Sequence, residues 1–246
     1  MTAARLRILL WPAVATAIAC AILVGLGAWQ LERLNWKEGL LGQIEARSHA
    51  NPQALPAPEL WPRLAPDDYE YRHVAANGVF EHENEIYIFR ASGGAARGAA
   101  ASPGYHVLTP LRLNDGSHVI VNRGFVPQDR RDPATRAAGQ IGGEVALTGL
   151  MRAPEARNWF TPTDNPAQRL WYTRDPQAIA AALRIERVAP FVIEADDSPV
   201  PGGLPKGGAT QVAIPNNHLS YAFTWFGLAA ALIAVFIAFA RRRLGE

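Results

Sequence analysis

A lone imidazole beside a long apolar run is the part of this sequence best equipped for chemistry. His218 stands in Asn216-Asn217-His218-Leu219-Ser220-Tyr221-Ala222-Phe223-Thr224-Trp225-Phe226-Gly227, and at helical spacing it shares a face with Tyr221 or Ala222 and with Trp225. A histidine so placed can ligate a metal through a ring nitrogen, or it can satisfy a backbone group at an interface. The sequence leaves both open. Trp29, Arg33, Trp36 and Lys37 fall on one side of a second helical stretch. They read either as an interfacial aromatic belt with cations reaching to water, or as a cation pair, Arg33 and Lys37, that holds an acidic group such as a lipid phosphate.

Both groups flank segments suited to a bilayer. Tyr221 to Ala240 is 20 residues without a charge, and at about 1.5 Å per residue it spans the ~30 Å of a hydrocarbon core. His218 sits just outside its first turn, where an imidazole escapes the full cost of the bilayer centre. Ile8 to Leu31 also lacks charge, with Trp29 marking the interface and Glu32 resuming the polar chain. Arg5 and Arg7 precede the first run and Arg241 to Arg243 follow the second, so the positive-inside bias puts both termini in the cytoplasm. The expected division is a cytoplasmic N-terminus (1–7), a first span (8–31), an extracytoplasmic β-rich domain with a helical stalk and proline-rich linker (32–216), a second span with its preceding histidine (217–240), and a basic C-terminus (241–246). The formal charge is +2 overall, and the terminal arginines supply it. The middle is therefore acidic, and the basic excess marks topology and not a nucleic-acid patch.

Apolar sequence continues unbroken through Ile22-Leu23-Val24-Gly25-Leu26, unlike the short core of a cleaved signal peptide. Apolar residues also follow Cys20, where a lipoprotein would have a polar tether, so Cys20 reads as a packing residue. As the one cysteine it forms no internal disulfide. No Arg- and Ser-rich transit segment opens the sequence, which favours a bacterial plasma membrane. Ala17, Ala21 and Gly25 on the first span, with Gly227 and Ala231 on the second, offer small-residue faces for pairing the spans or for lateral contact with another membrane protein.

Between the spans the helical pattern runs on through Leu41, and five prolines from Asn51 to Pro66 mark a linker. Strands are expected over His73 to Phe80, Glu85 to Ala91, Tyr105 to Leu113, Ser117 to Val126, Glu144 to Arg152 and Pro190 to Ala195, with a short one at Leu170 to Thr173. Asn114-Asp115-Gly116 is a hairpin turn, Ser92 to Gly104 a Gly- and Ala-rich loop, and Pro176 to Leu183 a helix capped by Asp175. The fold class is a membrane α hairpin plus an α+β domain with a mostly antiparallel, curved or barrel-like sheet.

Enzyme signatures are weak. Gly202-Gly203-Leu204-Pro205-Lys206-Gly207-Gly208 lacks the Gly-Lys-Ser/Thr ending of a phosphate loop. The six histidines have no metal-ligand spacing, and His73, His82, His106 and His118 read as strand or turn residues. Asp67-Asp68 and Asp196-Asp197 read as solvated loop acids. No nucleophile with its base announces itself.

Four segments in order resemble the signatures of the Surfeit locus protein 1 (SURF1/Shy1) family: Gly27-Ala28-Trp29-Gln30-Leu31-Glu32-Arg33-Leu34-Asn35-Trp36-Lys37, Gly104-Tyr105-His106-Val107-Leu108-Thr109-Pro110-Leu111, Val121-Asn122-Arg123-Gly124-Phe125-Val126-Pro127, and Asn217 to Gly227. Phe125 stands where the pattern has Trp. The resemblance implies a non-enzymatic assembly factor for haem-copper oxidases, chiefly cytochrome c oxidase. Its partners are the oxidase catalytic subunit and other assembly factors, and it acts while haem a is placed. By the same resemblance His218 is the axial ligand to haem a iron; the hypothesis that follows has Tyr221 and Trp225 wall the ring and Arg33 or Lys37 steady a propionate. A neutral imidazole suits such iron. The alternative is a scaffold that holds an immature oxidase subunit and never carries haem.

Overall fold

The computed structural model describes residues 3–90, 103–208 and 216–245. Most of the loop expected over Ser92 to Gly104 lies outside the described residues. Two compact units make up the chain: Met1–Gln43 with Ala213–Glu246, and Ile44–Val212.

The first unit is helical. Helix α1 (Ala3–Ser48) has 46 residues, about 70 Å of helix, and so outlasts a ~30 Å hydrocarbon core. Its charge-free run and the C-terminal helix over His218–Gly245 are long and apolar enough to cross a membrane. The two helices pair, but not through the small-residue faces the sequence suggests. Ala17, Ala21, Ala231, Gly25 and Gly227 are exposed, and the two glycines have nothing within 4 Å of a notional Cβ. Contact runs instead through Cys20, whose Sγ lies 3.8 Å from the Ala229 carbonyl, through Gly27 against the Phe226 ring, and through buried Ala222 and Ala229. A Cβ on Gly27 would come within 2.6 Å of that ring, so this glycine sets the helix separation.

The central unit is a closed five-stranded barrel with additions. In order come β1 (Gln53–Ala54), α2 (Pro66–Tyr69), β2 (His73–Phe80), β3 (Ile86–Arg90), β4 (Gly104–Leu113), β5 (His118–Pro127), β6 (Glu144–Arg152), β7 (Leu170–Trp171), α3 (Pro176–Leu183) and β8 (Val188–Ala195); the C-terminal helix is α4. The sheet runs β1-β2-β6-β8-β5-β4-β3-β7, and β2 also pairs with β4, which closes β2-β6-β8-β5-β4 on itself. Barrel pairs are antiparallel except β5 with β8, which matches a mostly antiparallel reading. Each barrel strand sends side chains to one core, among them Val74, Leu111, Val121, Met151 and Phe191. The opposite face packs Ile88, Leu108, Ile120 and Val192 under Ile179 of α3. Asp175 caps α3 as its sequence implies, its carboxylate accepting from the Gln177 and Ala178 amides.

Charges that the sequence presents as ordinary polar residues are sunk into this unit. Glu85 is fully buried and accepts hydrogen bonds from Arg136, from the Tyr87 hydroxyl at 2.8 Å and from Gln140 at 3.3 Å. Arg123 joins this cluster because the register passes from Leu108↔Asn122 to Val107↔Gly124, making Arg123 the extra residue of a β-bulge. Gly124 follows at φ +118, where a Cβ would collide with the Lys206 carbonyl that pairs with the Phe125 amide. Removing the carboxylate would leave guanidinium groups buried without their counter-charge. Glu85→Ala is therefore expected to lower the stability of the full chain by about 3–5 kcal/mol, with a smaller loss for Glu85→Gln. Urea unfolding followed by tryptophan fluorescence measures it, and a loss within error of zero refutes a supporting role for the cluster.

Candidate functional site

His218 is the first residue of α4, and the Tyr221 amide closes the first turn onto the Asn217 carbonyl at 3.1 Å. Antiparallel pairing brings the half-buried imidazole to α1, where Nδ1 lies 2.7 Å from Oε1 of Gln30. An amide oxygen only accepts, so Nδ1 carries the proton and donates it. A neutral ring held this way has its lone pair on Nε2, for which there is no hydrogen-bond partner among the described residues. This is how a second residue orients a metal-ligating histidine and fixes its tautomer. Sequence reasoning missed Gln30; its signal was an uncharged polar residue just inside an apolar run.

Trp225 is half-buried two turns further along α4, and its Nε1 is enclosed without a hydrogen-bond acceptor among the described residues. Tyr221 points elsewhere and is 55% exposed, while buried Ala222 takes the face toward α1. On α1, Arg33 and Lys37 follow Gln30 at i+3 and i+7, on the same side of the helix. The Arg33 guanidinium lies 4.4 Å from the Trp36 ring centroid, and Lys37 is half-buried. The first unit thus places His218, Trp225 and Gln30 around one helix contact, leaves Tyr221 outside it, and sets the two cations along the neighbouring α1 face. The donor set suits a carrier of an apolar, metal-bearing ring: one imidazole, an indole N–H, and exposed apolar side chains such as Leu219 and Phe223. Among the described residues no three His, Cys, Asp or Glu side chains are grouped to hold a metal ion.

The central unit carries a different kind of arrangement. Arg90, Glu155, Arg174, Glu194, Arg152 and Glu70 alternate in charge, with successive contacts of 3.0, 3.3, 2.7, 2.7 and 2.9 Å. The ladder stitches β3, β6, β8 and the segment before α3 together. Burial would raise Glu155, yet Arg174 and Arg90 hold it below the usual carboxylate range. Asp196 is no solvated acid, because its Oδ2 accepts from Thr148 at 2.5 Å and meets His73 Nε2 at 2.8 Å. Burial alone would lower His73, but Asp196 and the Ala50 carbonyl raise it above its ordinary value. Asp68 likewise caps α2 through the Ala65 amide. His106, beside the ladder and accepting from Asn122 at 3.1 Å, is pushed down to about 4 by burial and by Arg90.

The SURF1 family matches over residues 17–230. Surfeit locus protein 1 of Rattus norvegicus is 41% identical over 217 residues, covering 84% of this chain and 68% of its own length. The Homo sapiens protein of the same name is 40% identical over 218 residues, covering 84% and 70%. A SURF1-like protein of Monosiga brevicollis is 37% identical over 231 residues, covering 90% and 84%.

The two shifted histidines act on stability with opposite sign. His106 is lowered, so between pH 6.5 and about 4 the unfolded chain takes up a proton that the folded barrel refuses. Stability falls through that window as pH drops, by up to about 3 kcal/mol. His73 is raised, so its contribution is complete below pH 6.5 and fades as pH rises through the folded value. Urea midpoints of His106→Gln should therefore fall less steeply from pH 6.5 to pH 4 than those of the unaltered chain; parallel slopes would contradict the assignment.

Proposed function

The chain belongs to the SURF1 family, and from that premise we propose that it is an assembly factor for haem-copper terminal oxidases, chiefly cytochrome c oxidase. In this reading it holds haem a as cargo at the membrane boundary while the oxidase catalytic subunit receives it. The observation that carries the reading is the His218 to Gln30 hydrogen bond, which leaves Nε2 as the free donor. His218 would ligate the iron through that nitrogen, Trp225 would border the ring with Tyr221 further out, and Arg33 or Lys37 would meet a propionate. The cargo supplies the redox-active iron that the oxidase later uses; the chain's own residues bind, orient and release, and perform no turnover. The nearest partners are the catalytic subunit and other oxidase assembly factors, and nucleic acid is not among them.

The same proposal sets the chain in a bacterial inner membrane with both termini in the cytoplasm and residues 32–216 on the opposite side. The terminal arginines support that orientation. A second reading, a scaffold that never carries haem, draws support from Trp159 and Phe160, 93% and 66% exposed and stacked edge to face at 5.3 Å. Exposed paired aromatics of this kind anchor protein contacts.

One measurement separates these readings and a second tests the topology they share. Purified from cells that make haem a, the chain should show a Soret band that His218→Ala abolishes and that Gln30→Ala weakens or shifts. A full band in His218→Ala rules out the ligand role, and no band in the unaltered chain leaves the scaffold. A reporter fused within the central unit should face away from the cytosol, and a cytosolic signal overturns the topology.

A further inference from the structure

Beside the β5 bulge the central unit has a partly enclosed pocket of about 130 Å³. Phe80, Val145, Leu147 and Val200 give it apolar walls, and Arg123 and Asp196 are its charged lining groups. Its size is close to the ~150 Å³ that accepts a benzene-sized guest. Arg123 is only 5% exposed, and its guanidinium stands 4.9 Å from the Phe80 ring centroid.

The charge around Arg123 does not balance. A guanidinium has five N–H donors, and among the described residues Arg123 commits them to the Gly139 carbonyl and to His82 Nδ1 at 3.4 Å. Glu85, the nearby carboxylate, is 3.7 Å away and already accepts from Arg136, Tyr87 and Gln140. The cluster therefore sets two buried guanidiniums against one carboxylate, and the Arg131 guanidinium stacks on the Tyr87 ring close by. Burial, only partly offset by Glu85, pushes Arg123 down to about 10, as expected for a cation short of counter-charge. Asp196 does not supply it, being engaged by His73 and Thr148.

We infer that this pocket binds a small organic carboxylate, its apolar body against Phe80, Val145 and Val200 and its carboxylate on the spare N–H groups of Arg123. One negative charge balances the cluster, the planar carboxylate matches the guanidinium fork, and a singly charged head is cheaper to bury than a phosphate dianion. The apolar walls set the body at about the size of a five- or six-carbon chain or a single ring. Neither the barrel nor the proposed cargo site on α4 requires this pocket.

The test uses the full chain in detergent, with hexanoate and hexanol as matched probes and saturation-transfer NMR as the readout. Hexanoate is expected to bind at least about tenfold more tightly than hexanol, the contribution of charge-assisted hydrogen bonds. Val200→Trp, which fills the pocket from a loop and leaves Arg123 in place, should abolish hexanoate binding, and Val145→Phe provides a second filled variant should the first fail to fold. Equal affinity for the alcohol overturns the carboxylate assignment. Binding that persists unchanged in a folded filled variant marks partition into the micelle and overturns the site.

Discussion

The contact of Gly27 with the Phe226 ring is the constraint on which the rest of the helical unit turns. Apolar helices in lipid gain nothing from hiding apolar surface, so their association rests on close packing and on interhelical hydrogen bonds. A glycine at this point brings the two backbones near enough for the Gln30 side chain to reach His218 at 2.7 Å. A larger residue at position 27 would push the helices apart, and the imidazole would lose the partner that fixes its tautomer. The chemistry available to His218 is therefore set by a residue three positions before Gln30 that makes no polar contact with it.

Much of the architecture is legible in the sequence because it follows from local pattern. The strands at His73–Phe80 and Glu144–Arg152 are short apolar-rich runs that end at turn residues, and Asp175 before Pro176 opens a helix by ordinary capping. The helix contact was less readable. Alanine is so frequent in both runs that a four-residue stripe through Ala17, Ala21 and Gly25 has no more standing than one through Cys20 and Gly27. Only the partner's shape decides, and Phe226 fits against Gly27. The sequence suggests a barrel-like sheet but not the pairing that closes it: β2 meets β4 through Gly78↔Leu113, a long-range pairing that no local spacing encodes.

Buried charge was the least legible feature. Glu85, Arg136 and Glu194 look like any surface residues, because a charge in a sequence does not name its counter-ion. Asn122-Arg123-Gly124 reads only as a family signature, yet each member has a physical task. The Asn122 side chain accepts from the Gly124 amide at 3.1 Å, the bulge turns Arg123 inward, and Gly124 takes a positive φ that admits the Lys206 backbone. A glycine behind a polar pair in an otherwise apolar strand is the one cue that a bulge leaves.

The two units use polar groups in opposite ways, and the contrast bears on what each can do. In the barrel, the series from Arg90 to Glu70 pairs each carboxylate with guanidiniums, which fixes geometry but leaves those groups little free capacity for proton transfer. In the helical unit the Gln30 amide fixes the His218 imidazole, while the other ring nitrogen has no hydrogen-bond partner among the described residues. In the proposed reading a single imidazole at the edge of an apolar layer holds its cargo, and release breaks only that one ligand bond. Acid-base catalysis needs a second titratable group at hand, whereas transfer of a bound group needs only a bond of moderate strength and an exposed face. The sequence supplies the apolar layer and the imidazole, and helix pairing through Gly27 supplies the orientation.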